Sequence, residues 1–476
     1  MDAAIDTAKI RFNGLDATTG HYLLEAPSAQ ALADAIAEEL GPIASRAPGG
    51  SSKDLAYGYD PTKLAEAGWG VVFAAADPAA EQKREALKDL LALRRDQAGP
   101  RYHEYIGPDG LQPGESKDDF LSRHGAGPGE VDPTVVPYYL LFVGDPVSLP
   151  FLVQFQSDVA YAVGRLHFDV WEGWDWDPLA AYGRYAAGVV AAEAGDLKRP
   201  RRTVCFGPQN PADESTAQSA TALVAPLAKE LSEEQKGGWE IGLTLPADAT
   251  KAKLKSLMGG ADTPGVLFTA SHGLGFPNGH ARQLSDQGAL VCQDWPGPWE
   301  WDGPIAPEHV LAAADVGDDA DVRGLVAFHF ACFGAGTPVR DAFAHRLGNP
   351  PADIAPHPFV ARLPQRLLGH PGGSALAVIG HVERAWGYAF LWDGAGPQQK
   401  SFESVLRQIM DGRQVGLAME GFGHRYAELS DMLFELQQSG PEVDRLKLMG
   451  YWTARNDAQS FVILGDPAVR LSSGTD

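Results

Sequence analysis

The strongest constraint on the fold of this chain is an alternation of short apolar runs with longer helical stretches. The runs are Val71-Val72-Phe73, Tyr138 to Val143, Thr203 to Phe206, Glu240 to Leu243, Val266-Leu267-Phe268, Leu325-Val326-Ala327 and Ala375 to Ile379. Runs this short, bounded by Gly, Pro or small polar residues, read as strands. Between them lie segments with helical patterning: Pro78 to Asp96, Glu214 to Glu234, Lys251 to Leu257 and a stretch near Phe359 to Leu368. Strand and helix in alternation predict an α/β fold with a mostly parallel sheet flanked by helices. In such a sheet, active groups collect at the carboxyl ends of strands. With 476 residues there is room for more than one unit. The expected division is a small N-terminal segment over 1–60, with a helix from Ala31 to Leu40 and a loop from Pro48 to Lys53, then two side-by-side α/β subdomains over 61–200 and 201–476.

Two strand ends carry reactive groups. The run ending at Phe268 leads through Thr269, Ala270 and Ser271 to His272-Gly273, and the run ending at Ala327 leads through Phe328, His329, Phe330 and Ala331 to Cys332. An imidazole able to take the proton of a thiol makes it a nucleophile at neutral pH. His381, after the Ala375–Ile379 run, ends a third strand, and reads either as a pocket residue or as a turn residue. His329 reads as a buried histidine with one hydrogen-bonded nitrogen, and Cys205 and Cys292 as structural thiols.

Composition narrows the function classes. There are 62 acidic residues against 39 basic ones, a formal net charge of −23, which disfavours nucleic acid or an anionic membrane as partner and favours basic peptide segments. Three cysteines without metal-type spacing form no disulfide framework and fit a reducing compartment. The N-terminus lacks the pattern of a signal peptide and no run approaches the length of a membrane span, so the expected location is cytoplasmic. No His-Glu-x-x-His or Cys-x-x-Cys pair is present, and the stretch from Gly273 to Gly279 lacks the Gly-Lys-Ser/Thr ending of a phosphate loop. No cofactor is expected, and structural calcium held by surface carboxylates is left open.

Ser271-His272-Gly273 and Ala331-Cys332, taken with Gly144-Asp145, Ser157-Asp158-Val159-Ala160-Tyr161 and Leu464-Gly465-Asp466-Pro467, resemble the caspase-like cysteine peptidases of the gingipain type, relatives of the CHAT-domain peptidases. The resemblance spans about residues 66 to 475. It implies a caspase-like sheet, Cys332 as nucleophile, His272 as base and then acid, and the backbone amides of Gly273 and Cys332 as oxyanion donors. Asp145 is the nearest match to the family's upstream carboxylate that orients the histidine. Asp158 and Trp386 match the acid and the aromatic wall of a pocket for a basic P1 side chain. Apart from the resemblance, Asp158 also reads as a turn cap and Trp386 as core. Acidic, Trp-rich loops at Trp171 to Asp177 and Asp294 to Asp302 fit a basic substrate, and the second lies between His272 and Cys332, where it can overhang a cleft.

The expected function is therefore a cysteine endopeptidase acting on protein or peptide, with preference for basic P1 residues. The alternative is a non-catalytic or regulatory protein that binds a partner segment in the same cleft. A dyad of this kind also supports acyl transfer on non-peptide esters and amides. A regulatory partner is a further open expectation.

Overall fold

The computed structural model describes residues 14–23, 55–233, 238–343, 352–392, 395–438 and 444–471. The helix expected over Ala31 to Leu40 and the loop from Pro48 to Lys53 lie outside the described residues.

Ten strands form one sheet: β1 (Trp69–Phe73), β2 (Tyr102–Tyr105), β3 (Tyr139–Val143), β4 (Ala162–Leu166), β5 (Arg202–Phe206), β6 (Glu240–Thr244), β7 (Val266–Ala270), β8 (Val326–Phe330), β9 (Ala377–His381) and β10 (Phe461–Gly465). Their order across the sheet is β2-β1-β3-β4-β10-β9-β8-β7-β5-β6. Every neighbouring pair is parallel except β9 with β10. The protein is thus an α/β structure with a large, mostly parallel sheet flanked by helices. All five positions of β1, β3, β4, β7, β8, β9 and β10 are buried, as strands covered on both faces must be. β2 and β6 close the two ends of the sheet and are partly exposed.

The single antiparallel pair has a large consequence for the site. β2, β1, β3, β4 and β10 run one way, and β9, β8, β7, β5 and β6 run the other. The carboxyl ends of β7, β8 and β9 therefore share an edge with the amino ends of β4 and β10, where His381 lies opposite Phe461. The carboxyl ends of β3 and β10 lie at the opposite edge, and with them the tripeptides Gly144-Asp145-Pro146 and Gly465-Asp466-Pro467.

The second tripeptide is a structural anchor. Asp466 is fully buried; its carboxylate accepts from Trp69 Nε1 at 2.9 Å and from Arg94 Nε at 2.7 Å. Arg94 also pairs with Glu193 at 2.6 Å. This ties β10 to β1 and to the packed helices Lys88–Ala98 and Pro178–Glu193. A pair of helices, Glu420–Gln438 and Arg445–Gln459, leads back into β10. Among the described residues no helix is long and apolar enough to cross a membrane, and no group of three or more His, Cys, Asp or Glu residues is placed to hold a metal ion.

A second, smaller sheet stands beyond the carboxyl end of β7. It contains Gly14–Asp16, Gly273–Gly275, Leu290–Val291 and Val310–Leu311, with its own apolar cluster that includes Leu15, Leu274, Val291 and Trp295.

Candidate active site

His272 and Cys332 are brought together by register. β7 and β8 pair in parallel with Ala270 opposite Phe330, and Ser271 N–H continues the ladder to Phe330 O at 3.2 Å. Two residues past the paired ends, each chain delivers its reactive side chain on neighbouring strands, which lie about 4.8 Å apart. Glycine follows the histidine for a packing reason. A Cβ at Gly273 would sit 1.8 Å from Cys332 O and 3.0 Å from Cys332 N, so the two backbones touch and no side chain fits between them.

The backbone is bent sharply around the thiol. Phe333, the residue after Cys332, has φ 58°, and Glu383 has φ 73°, a left-handed conformation unusual for residues with side chains. The two bends are tied together, since Phe333 N–H donates to Glu383 O at 2.6 Å. The loop after β9 then crosses the thiol, with Ala385 N–H donating to Cys332 Sγ at 3.2 Å. Beneath this loop Arg384 forms two bonds to Asp341, at 2.6 and 2.5 Å, and one to Glu383 at 3.3 Å. Burial raises the Glu383 carboxyl to about 8 against the lowering effect of Arg384, so it is mostly neutral at pH 7.

The carboxylate on His272 is Asp213, which the sequence reading did not single out. Asp213 Oδ2 lies 2.7 Å from His272 Nε2, and both side chains are fully buried. Asp213 caps the helix Glu214–Ser219 and also accepts from Thr216 Oγ1 and Tyr22 OH, each at 2.5 Å. Burial pushes its pKa up, but the His272 charge and the bonds from His272, Thr216 and Tyr22 outweigh burial and hold it at about 2. An ionised carboxylate only accepts, so Nε2 carries a proton, and in the neutral imidazole the lone pair is then on Nδ1. Among the described residues Nδ1 has no hydrogen-bond partner. The signal was present in the sequence: Asp213 follows the Thr203–Phe206 run at the same edge as His272, but its helix-cap spacing hid it among ordinary caps.

Asp145 is not that carboxylate. It follows β3, at the opposite edge of the sheet, where it accepts from Val147 N–H at 2.8 Å and from Ser148 N–H and Oγ, each at 2.9 Å. It stabilises a turn, and the antiparallel junction at β9–β10 is why it cannot reach His272.

The remaining candidates are spread along the reactive edge. His381 is fully buried, with Nε2 3.0 Å from Asp457 O, and packs edge-on against Phe461. Trp386 is buried against Phe343, and its backbone N–H donates to Asp457 Oδ1 at 2.7 Å. Asp158 precedes β4 at this same edge and accepts from Val163 N–H at 3.1 Å. It lines a small pocket of about 40 Å³ with Tyr138, Tyr161, Glu420 and His424. Neither Cys332, His272 nor Trp386 lines that pocket. Of the two Trp-rich loops, the second reaches the site. Trp295 packs edge-on against His272, its carbonyl held by Asn210 Nδ2 at 2.8 Å. The first follows β4 at the far edge, where Trp171 stacks on Trp176. His329 is fully buried, with Nδ1 2.8 Å from Thr269 Oγ1.

Cys332 and His272 have no exposed surface. Burial pushes the Cys332 thiol well above its ordinary pKa, although the Ala385 amide and Arg384 pull the other way, so it is a thiol in this state.

No family model matches the sequence, and neither does any curated protein. Among solved structures, one described as a protease is similar over 85% of this chain and 78% of its own, at 11% identity and a TM-score of 0.46. A leucine-binding protein of Thermotoga maritima is similar over 81% of this chain and 86% of its own, at 11% identity and a TM-score of 0.17. Likenesses this distant carry no weight for the chemistry.

Proposed function

We propose that the protein is a caspase-like cysteine peptidase of the gingipain type, in which Asp213, His272 and Cys332 act in sequence. The observation that carries this reading is the register-matched delivery of His272 and Cys332 on neighbouring strands, with Asp213 on Nε2 of the imidazole and Nδ1 left without a partner among the described residues. In the proposed reaction the Cys332 proton passes to His272 Nδ1, and the sulfur attacks the scissile carbonyl carbon. The backbone amides of Gly273 and Cys332, held side by side, receive the negative oxygen. The C–N bond breaks as the amine takes the proton from Nδ1, leaving an acyl-thioester that water hydrolyses with His272 again as base. Asp213 is a positioning residue that fixes the tautomer.

A basic P1 side chain is the preferred substrate feature. Its support is the resemblance of Asp158 and Trp386 to the family's pocket residues, both on the reactive edge, in a chain of net charge −23. A second reading, a cleft that binds a partner segment without turnover, is favoured by the complete burial of both reactive groups. Cleavage of peptides with Arg, Lys, Asp or Leu at P1 separates the two, assayed under reducing conditions with the wild type and Cys332→Ala. Turnover with Arg or Lys that disappears in Cys332→Ala supports the peptidase. Turnover in none of them, with binding of the peptides retained in Cys332→Ala, supports the second reading.

A further inference from the structure

Residues 14–23 fold into a hairpin over the reactive groups. Asp16 N–H donates to His21 O at 2.8 Å, and Leu15 bridges Tyr22. Its first arm, Gly14–Asp16, pairs in parallel with Gly273–Gly275, Gly14 opposite Gly273, and Ala17 N–H extends the ladder to Gly275 O at 2.8 Å. The pairing begins at the oxyanion glycine and leads away from the thiol. That is the path of an extended peptide adding to a strand edge.

Three contacts bear on the chemistry. A Cβ at Gly14 would lie 2.9 Å from Cys332 Sγ, so the backbone of this residue rests on the nucleophile, and only glycine allows it to come that close. Tyr22 OH takes Asp213 Oδ1, the carboxylate oxygen that His272 leaves free, and the Tyr22 ring lies 5.9 Å from that of His272. Leu23 fills the space above Gly14 and Gly275, where a Cβ on either glycine would come within 2.8 Å of it. Leu15 and Ala17 belong to the small apolar cluster, while Tyr22 and Leu23 are partly buried at the border of the main core. The hairpin contributes no strand to the ten-stranded sheet, so its departure breaks none of that sheet's ladders.

We infer that the Gly14–Leu23 hairpin is an intramolecular occupant of the peptide groove, a cap that holds the enzyme latent by standing where a substrate strand passes Cys332. The inference rests on the proposed peptidase reading for its meaning, but its test needs no turnover.

The test is the rate at which iodoacetamide alkylates Cys332 in the full chain, followed site by site by peptide mapping so that Cys205 and Cys292 serve as buried internal references. The variant Gly14→Val places a side chain against Sγ and expels the arm, and Tyr22→Ala removes the anchor on Asp213. The expected result is alkylation of Cys332 at least tenfold faster in either variant than in the wild type. A synthetic peptide of residues 12–24, added in excess to Gly14→Val, restores protection. If Gly14→Val does not fold, Tyr22→Ala carries the test. Wild-type alkylation as fast as in the variants, or faster alkylation that the peptide leaves unchanged, overturns the cap. A Gly14→Val chain that is freely alkylated yet cleaves no peptide refutes the peptidase reading and leaves the cap standing.

Discussion

Replacing Asp213 by Asn removes one charge from the centre of the site with little change of shape. The carboxylate is fully buried, and its pKa is lowered from 3.8 to about 2. A shift of this size corresponds to roughly 2 kcal/mol of differential stabilisation of the ionised form. Because the folded pKa lies below the unfolded value, that contribution is present at neutral pH and fades only as pH falls below 3.8 toward 2. Asp213→Asn is therefore expected to cost about 2 kcal/mol in urea unfolding at pH 7. Its effect on turnover is larger. An amide can present its NH2 group to His272 Nε2, which moves the ring proton to Nδ1 and removes the base from the side left for the thiol. Loss of a comparable orienting carboxylate costs about 10⁴-fold, so a fall in kcat of about 10² to 10⁴ is expected with KM changed little. The assay is steady-state cleavage of an Arg-P1 peptide by chains that also carry Gly14→Val, with Asp213→Glu as a partial rescue. A kcat within threefold of the parent, alongside the stability loss, would show that Asp213 is a helix cap and nothing more.

Gly273→Ala places a Cβ 1.8 Å from Cys332 O, so it must displace the β8 terminus. It should cost about 3 kcal/mol or more by urea unfolding, at the upper end of overpacking effects; a loss below 1 kcal/mol would mean the two backbones are not in contact. Asp145→Ala should leave kcat/KM within about threefold and lower stability by about 1 kcal/mol, the usual value of a turn hydrogen bond; a hundredfold loss of activity would restore it as a catalytic neighbour. Glu383, raised from 4.5 to about 8 in the fold, favours the folded state at low pH and loses that contribution as pH rises through about 8. The unfolding free energy of wild type should thus fall between pH 4.5 and 8 relative to that of Glu383→Gln, and parallel curves for the two chains would contradict the assignment.

Much of the fold was legible because its central strands are buried on both faces and so appear as continuous apolar runs. β3, β5, β7 and β9 lie within a residue or two of the runs that announced them, and β8 begins one residue into its run and extends three beyond it. β2, Tyr-His-Glu-Tyr, has no such run because it closes one end of the sheet and is only partly buried. β4 was hidden because its sequence, Ala-Val-Gly-Arg-Leu, carries a fully buried Arg165 whose guanidinium is satisfied by Gln154 and by the carbonyls of Gly144 and Leu149. The stretch from Phe359 to Leu368 is helical only from Arg362, because Phe359 and Val360 pair with Gly336 and Thr337. The pairing of His272 with Cys332 could be proposed from strand ends alone. The orienting acid could not, because choosing between Asp145 and Asp213 requires the strand directions, and these turn on the single antiparallel contact between β9 and β10. The hairpin over the thiol was equally hidden, since a parallel bridge from residue 14 to residue 273 leaves no mark in local sequence.

The central claim, that Cys332 and His272 work as a pair, is tested most directly by covalent trapping. The Gly14→Val chain is incubated with a Lys-P1 peptidyl acyloxymethyl ketone, digested, and mapped by mass spectrometry. The expected result is a single adduct on Cys332, with Cys205 and Cys292 unmodified, that is lost when His272 is replaced by Ala. An adduct of equal yield without His272, or none on a Cys332 that iodoacetamide still alkylates, would contradict it.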